Sequence, residues 1–236
     1  NGAVLTDRAR LMELPDFGRR NMVRNALKDG LTLGQGNGTN PFVMGFIGST
    51  DTHSATPGAA EEENFTGHLG RRDSGFRNVQ DHFYSNPGGH AVVWAEENSR
   101  DAIFSAIRRK ETYATSGTRP VLRFFGGSEL DDNACSDPLG VTKAYASGVP
   151  MGGSLDRVET ALKFFVSAQK DPGVPGKPGT DLKRIQIIKG WVDDAGQSYE
   201  RVIDVAGDAD NGADVDPVNC QRRGHGDSQL CAVWQD

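Results

Sequence analysis

Apolar positions in the first half of the chain fall into short, separate groups. Met22, Val23, Ala26 and Leu27 recur at spacings of one, three and four residues, which predicts a helix over residues 16–29. Asp16 can cap its start and Gly30 supplies a stop. Residues 31–40 are glycine-rich and read as a loop. Residues 43–48, Val-Met-Gly-Phe-Ile-Gly, form one continuous apolar run, the pattern of a strand buried on both faces in a parallel sheet or barrel. Residues 54–97 carry no sustained period, and a loop of that length inside a compact domain usually forms a lid or a site wall. Asn98 and Ser99 then open a helix of about residues 100–110. Ile103, Phe104 and Ile107 are its expected core face, and Arg108, Arg109 and Lys110 lie where the helix dipole favours cations.

From Thr112 the texture changes. Residues 121–125, 161–166, 185–191 and 198–205 are strand-like and separated by Gly, Pro and Asp turns. Asp193-Asp194-Ala195-Gly196 reads as the hairpin turn between the last two. The pattern predicts an antiparallel β unit over residues 121–205 with Val121, Phe125, Phe165, Ile187 and Trp191 in its core. It divides the chain into an α/β part, residues 1–119, and a β-rich, sandwich-like part, residues 120–236.

Gly and Pro occupy 41 of 236 positions, so much of the chain is expected to be ordered loop. No apolar run approaches the roughly 18 residues a spanning helix needs. The formal charge of −6 belongs to the second half: residues 1–120 hold 14 basic and 14 acidic side chains, residues 121–236 hold 12 and 18. Neither half is a basic platform, which argues against broad nucleic-acid binding. The three cysteines, Cys135, Cys220 and Cys231, include no CxxC pair, which excludes a zinc knuckle. Cys220 and Cys231 flank a polar loop and are the candidate disulfide, with two free thiols as the alternative. The acidic stretch from Asp208 to Asp216 lacks EF-hand spacing and reads as a solvated turn.

The sharpest chemical feature is Asp51-Thr52-His53, directly after the apolar run. In an extended segment residues i and i+2 project to the same side, so a carboxylate and an imidazole emerge together. That pair suits zinc, manganese or iron, with Ser49 and Thr50 available as supporting hydrogen-bond groups. Arg119, after Ser116-Gly117-Thr118, is a candidate grip for a phosphate or carboxylate. Glu111 and Tyr113 are weaker candidates. His68, His82 and His90 lie in or beside the long loop without an assigned role.

The stretch Asn40-Pro41-Phe42-Val43-Met44-Gly45-Phe46-Ile47-Gly48-Ser49-Thr50-Asp51-Thr52-His53 resembles the last metal-binding motif of the PHP (polymerase and histidinol phosphatase) metallohydrolases. More narrowly, it is similar to a bacterial branch of that superfamily, the domain-of-unknown-function family 3604. Trp94-Ala95-Glu96-Glu97-Asn98-Ser99-Arg100-Asp101-Ala102-Ile103, Glu111-Thr112-Tyr113-Ala114-Thr115-Ser116-Gly117-Thr118-Arg119-Pro120, Gly148-Val149-Pro150-Met151-Gly152-Gly153 and Ile185-Gln186-Ile187-Ile188-Lys189-Gly190-Trp191 agree with it. The resemblance implies the C-terminal part of a distorted (β/α) barrel followed by the β-rich region. It implies a divalent metal (Zn, Mn or Fe) with Asp51 and His53 among its ligands. It also implies cleavage of a phosphoester, or a related ester or carbamate, by a metal-activated water. The remaining ligands, including a His-x-His pair, are expected upstream of Asn1, in a missing N-terminal portion that would be this chain's partner. With two identifiable ligands where catalytic zinc usually takes three, the 236-residue chain alone is expected to hydrolyse nothing at a useful rate. The alternative is a non-catalytic β-sandwich module for binding or assembly. Family habit favours export to the bacterial periplasm over the cytoplasm.

Overall fold

A computed structural model of the chain describes residues 17, 19, 22–50, 89–156, 160–216, 218–219 and 221–236. Two compact units emerge. One comprises Asn1–Met44 with Ile187–Ile203, the other Gly45–Gln186 with Asp204–Asp236.

In the first unit the helix α1 spans Val23–Asn37. It runs through Gly30, the expected stop, and ends at Gly38 in the left-handed conformation (φ 74°). The reason is packing. A Cβ on Gly30 would stand 2.4 Å from the Asn40 side chain, so a glycine is needed where residues 40–42 turn back over the helix. Asn40 Oδ1 accepts the Phe42 N–H at 2.8 Å and fixes that turn. Glu200 reaches both Arg24 (3.0 Å) and Lys28 (3.2 Å) of α1.

The second unit begins with residues 45–50, which run without a β-ladder among the described residues. The expected buried strand over residues 43–48 is therefore corrected. Val43 and Ile47 are 58% and 61% exposed, and the Thr112 hydroxyl donates to the Phe46 carbonyl at 2.8 Å. An unbroken apolar run signals burial only when two layers cover it, and these side chains lack that cover among the described residues.

Then follow β1 (Ala91–Val93), helix α2 (Arg100–Arg109), β2 (Thr112–Ala114) and β3 (Val121–Gly127). Next come helix α3 (Gly140–Ser147), β4 (Val149–Pro150), β5 (Lys163–Gln169), β6 (Gly173–Val174) and β7 (Lys177–Pro178). The long pair β8 (Arg184–Val192) and β9 (Ser198–Gly207) precedes β10 (Asp214–Val215), β11 (Arg222–Arg223) and β12 (Gln229–Gln235). Ser99 caps α2 as expected, its hydroxyl accepting the Ala102 N–H. The buried side of α2 is Ala106, fully inaccessible, whereas Phe104 and Ile107 are 60% and 46% exposed. Periodicity predicts an apolar face, but the most buried position of the helix is the one with the small residue.

The core sits on one face of a four-stranded antiparallel sheet of order β12-β5-β3-β4. Phe125 lies opposite Phe165, which lies opposite Val233, and the two phenylalanine rings stack at 5.8 Å. Leu130, Ala134 and Ala144 close over them. The opposite face carries the stack Phe124–Phe164–Trp234. Strand alternation thus sends neighbouring phenylalanines to opposite faces. Of the expected core residues, Phe125 and Phe165 are buried, while Val121 and Trp191 are each 38% exposed. The β8–β9 hairpin turns where expected. Asp193 accepts the N–H groups of Ala195 (3.0 Å) and Gln197 (2.9 Å), and Gly196 takes φ 81°.

The described residues make mostly β structure: this sheet and four two-stranded antiparallel ribbons, with three short helices. No barrel closes among the described residues, which corrects the expected C-terminal part of a PHP-like (β/α) barrel. The ladders among the described residues are antiparallel, whereas such a barrel needs parallel strands joined by helices. No helix among the described residues is long and apolar enough to cross a membrane.

The disulfide is also corrected. Cys231, on β12, bonds Cys135 and not Cys220, with Cα atoms 5.7 Å apart across a sequence separation of 96. Loop proximity suggested Cys220, but β12 pairs along its whole length with β5, which carries Cys231 to the core edge where the 131–137 turn lies. Cys220 lies outside the described residues.

Candidate functional site

The second unit contains a cavity of about 550 Å³ lined by Trp94, Ala95, Glu96, Arg109, Glu111, Arg123, Tyr145 and Pro150. Its residues come from five places in the chain, and each has a local reason for its position.

Trp94 follows β1. Its main-chain N–H donates to the Glu111 carbonyl at 3.0 Å and its indole N–H donates to the Leu122 carbonyl at 3.0 Å. Both ends of the residue are thereby fixed. Glu111 is placed by the abrupt end of α2. Lys110 adopts φ 62°, a left-handed conformation uncommon for a side chain with a Cβ, and the Lys110 and Glu111 N–H groups return to Ile107 and Ala106. Gly45 and Gly152 close on this turn. A Cβ on Gly152 would come within 2.2 Å of the Lys110 carbonyl oxygen.

Arg123 and Phe125 share a face of β3 by alternation. Tyr145, on α3, touches both. Its ring meets Phe125 edge-on at 4.8 Å, and its hydroxyl accepts a hydrogen bond from Arg123 Nη1 at 2.9 Å. The same hydroxyl donates to Glu111 Oε1 in a very short contact. Arg109 Nη2 bonds the other carboxylate oxygen at 3.3 Å. The Arg123 guanidinium lies 3.1 Å from the centre of the Trp94 ring.

The result is a continuous chain of polar contacts, Arg109–Glu111–Tyr145–Arg123, laid against Trp94. Glu111 is only 4% exposed, so its charge is kept in the wall by two donors. Burial, reinforced by the hydrogen bond to the Glu111 carboxylate, pushes the Tyr145 phenol above its ordinary range. It therefore stays protonated at neutral pH and bridges carboxylate and guanidinium. Burial raises the Tyr113 phenol too, but its hydroxyl is committed to main chain, donating to the Pro120 carbonyl and accepting from the Leu122 N–H.

The expected site residues are distributed differently. Asp51 and His53 lie outside the described residues, as do His68 and His82. Arg119 falls between β2 and β3, half-buried, with its main-chain N–H donating to the Asp171 carboxylate at 2.6 Å, and it does not line the cavity. The His90 main-chain N–H donates to the Thr115 hydroxyl at 3.0 Å, and its carbonyl accepts the Thr115 N–H at 3.1 Å. In the 208–216 stretch, the Asp208, Asn211 and Asp214 side chains accept nearby main-chain N–H groups, as turn residues do. Among the described residues no three His, Cys, Asp or Glu side chains converge in a way that could hold a metal ion.

Arg123 and Tyr145 escaped the sequence reading. The available signal was a lone charge within the apolar strand Val121-Leu122-Arg123-Phe124-Phe125, on the same face as a core phenylalanine. Tyr145 gave none, because only the fold brings α3 over Glu111.

A family model described as "Protein of unknown function (DUF3604)" matches residues 6–236. No curated protein and no solved structure matches the chain.

Proposed function

The chain belongs to the DUF3604 family, and from that premise we propose that it forms part of a metal-dependent hydrolase acting on a small ester or phosphoester. The observation that carries this reading is Glu111: a carboxylate 4% exposed, held at the wall of a cavity of about 550 Å³ beside two guanidinium groups. Small-molecule sites combine a concave, partly aromatic surface with a few fixed polar groups in this way. Three of the stretches that carry the PHP resemblance converge there, contributing Trp94, Ala95 and Glu96, then Glu111, then Pro150.

Asp51 and His53 are the proposed ligands, one oxygen and one nitrogen donor, a set suited to zinc, manganese or iron. Kinship with the PHP hydrolases is proposed on residues 40–53 and does not extend to their barrel. Asp51 and His53 would hold a divalent ion, whose chemistry there would be to lower the pKa of a bound water. The chain's own residues do the rest. Arg123 attracts the substrate's negative charge, Tyr145 keeps Arg123 in place, Arg109 holds Glu111, and Trp94 gives the cavity an apolar wall. Hydrolysis adds water across the scissile bond and yields an acid and an alcohol. Export is proposed as well, since the Cys135–Cys231 bond suits an oxidising compartment.

The test is elemental analysis of the protein expressed from its complete coding sequence and purified without chelators. Near-stoichiometric Zn, Mn or Fe that falls in Asp51→Asn and His53→Ala supports the reading. Wild-type protein free of metal, and unable to take it up on dialysis, overturns it. That result favours the second reading, a binding or assembly module, for which the exposed Phe104 and Ile107 speak.

A further inference from the structure

The charges around the cavity do not cancel uniformly. Arg109 is bonded to Glu111, and Glu111 also takes the Tyr145 hydroxyl. Arg123 is different. Among the described residues no carboxylate pairs with it. Its contacts are the Tyr145 hydroxyl, the face of Trp94 at 3.1 Å and the Tyr145 ring at 5.9 Å. An arginine has five N–H donors in one plane, and the bond to Tyr145 occupies one. Stacking on the indole fixes that plane while leaving its edge available for in-plane acceptors. The guanidinium is thus oriented before any ligand arrives, which reduces the ordering cost of binding.

The count of charges then selects the ligand. Glu96 and Glu111 set two negative charges on the lining against the two positive charges of Arg109 and Arg123. Once Arg109 and Glu111 are paired, one open positive charge remains, with Glu96 on the rim to repel a second negative charge. We propose that this cavity recognises a singly charged organic oxyanion through Arg123. Resting on the hydrolase reading, this makes the substrate a monoanion, such as a phosphodiester, a sulfate monoester or a carboxylate-bearing ester, in preference to a doubly charged phosphate monoester. All three present two or more oxygens sharing one charge, which is what a guanidinium edge accepts.

Glu111 and Tyr145 are positioning residues here. Tyr145 donates to Glu111 and accepts from Arg123, so loss of its hydroxyl frees the guanidinium to turn off Trp94 without removing its charge.

Titration calorimetry on metal-stripped protein, expressed from its complete coding sequence, tests this without any turnover. The probes are diphenyl phosphate, phenyl sulfate, benzoate and phenyl phosphate, at pH 8, where the last carries two charges because its second pKa is about 6. At least one of the three monoanions is expected to bind tenfold or more tighter than phenyl phosphate. Which one does so identifies the ester class. Arg123→Gln should weaken that binding at least tenfold, Arg123→Lys less, and Tyr145→Phe by a smaller factor that shrinks no further with salt. Melting curves of all variants establish that they are folded. Phenyl phosphate binding more tightly than every monoanion, or binding unchanged in folded Arg123→Gln and Arg123→Lys, overturns the proposal. Since no metal is present, such a failure leaves the hydrolase reading standing. A failure of metal uptake with Arg123-dependent binding intact removes the hydrolase and keeps the monoanion site.

Discussion

The phenol of Tyr145 donates to the carboxylate of Glu111, a residue 34 positions earlier that is almost wholly buried. The contact joins the end of α2 to α3 across the cavity. Tyr145→Phe leaves one Glu111 oxygen without its donor while keeping the ring on Phe125. A buried group losing one hydrogen bond costs about 1–2 kcal/mol, which in a chain of this size lowers Tm by a few degrees. Glu111→Ala should cost more, because it strips both Arg109 and Tyr145 of their acceptor. Thermal melts of the two variants check the order, and equal stability of all three proteins would contradict it.

The same contact has a consequence at alkaline pH. Burial first, and then the Glu111 carboxylate, raise the Tyr145 phenol, and burial raises Tyr113. A raised folded-state pKa favours the protonated form. The stabilisation is therefore complete below the unfolded value of about 10 and is lost as pH rises through the folded values. Tyrosinate absorbance should show late-titrating phenols in native protein, one fewer in Tyr145→Phe. Titration of every tyrosine near pH 10 in native protein would contradict this.

Gly152 shapes the turn that presents Glu111. Alanine there meets both a left-handed φ of 84° and the Lys110 carbonyl, 2.2 Å from the new Cβ. Gly176 has nearly the same φ, 81°, with nothing within 4 Å. Gly176→Ala should cost about 1 kcal/mol and Gly152→Ala about 2–4 kcal/mol. Chemical denaturation midpoints measure the difference. Matching losses would show that the close approach carries no weight.

Cys135 and Cys231 close a long loop, with 96 residues of separation. The chain-entropy argument assigns such a cross-link about 4–5 kcal/mol. Non-reducing peptide mapping should recover a fragment joining Cys135 to Cys231, and reduction should lower Tm by on the order of 10 °C. A fragment joining Cys220 to Cys231 would refute the pairing.

Local signals were legible wherever one segment decides its own structure. Ser99 caps α2, Asp193 and Gly196 make the hairpin turn, and the strand runs containing Phe125 and Phe165 become the sheet. Signals failed where a neighbour decides. Gly30 stays helical because residues 40–42 need its bare Cα, and Ala106 is buried in place of Phe104 on the side where the chain returns through Glu111. Residues 43–48 gain no ladder among the described residues although their composition suits one. The cavity was half visible: Trp94, Glu96, Glu111 and Pro150 lie in stretches that stood out as motifs. Arg123 and Tyr145 did not, because their roles depend on β3 and α3 meeting a residue fixed by another turn.

Steady-state kinetics on bis(4-nitrophenyl) phosphate, a singly charged diester, test the functional account most directly. The enzyme is the protein expressed from its complete coding sequence and loaded with Mn²⁺ or Zn²⁺. The account predicts metal-dependent turnover that His53→Ala abolishes, and an Arg123→Gln variant whose KM rises tenfold or more while kcat falls much less. No metal-dependent turnover of this diester, of 4-nitrophenyl sulfate or of a carboxylate-bearing nitrophenyl ester, or turnover indifferent to both substitutions, would contradict it.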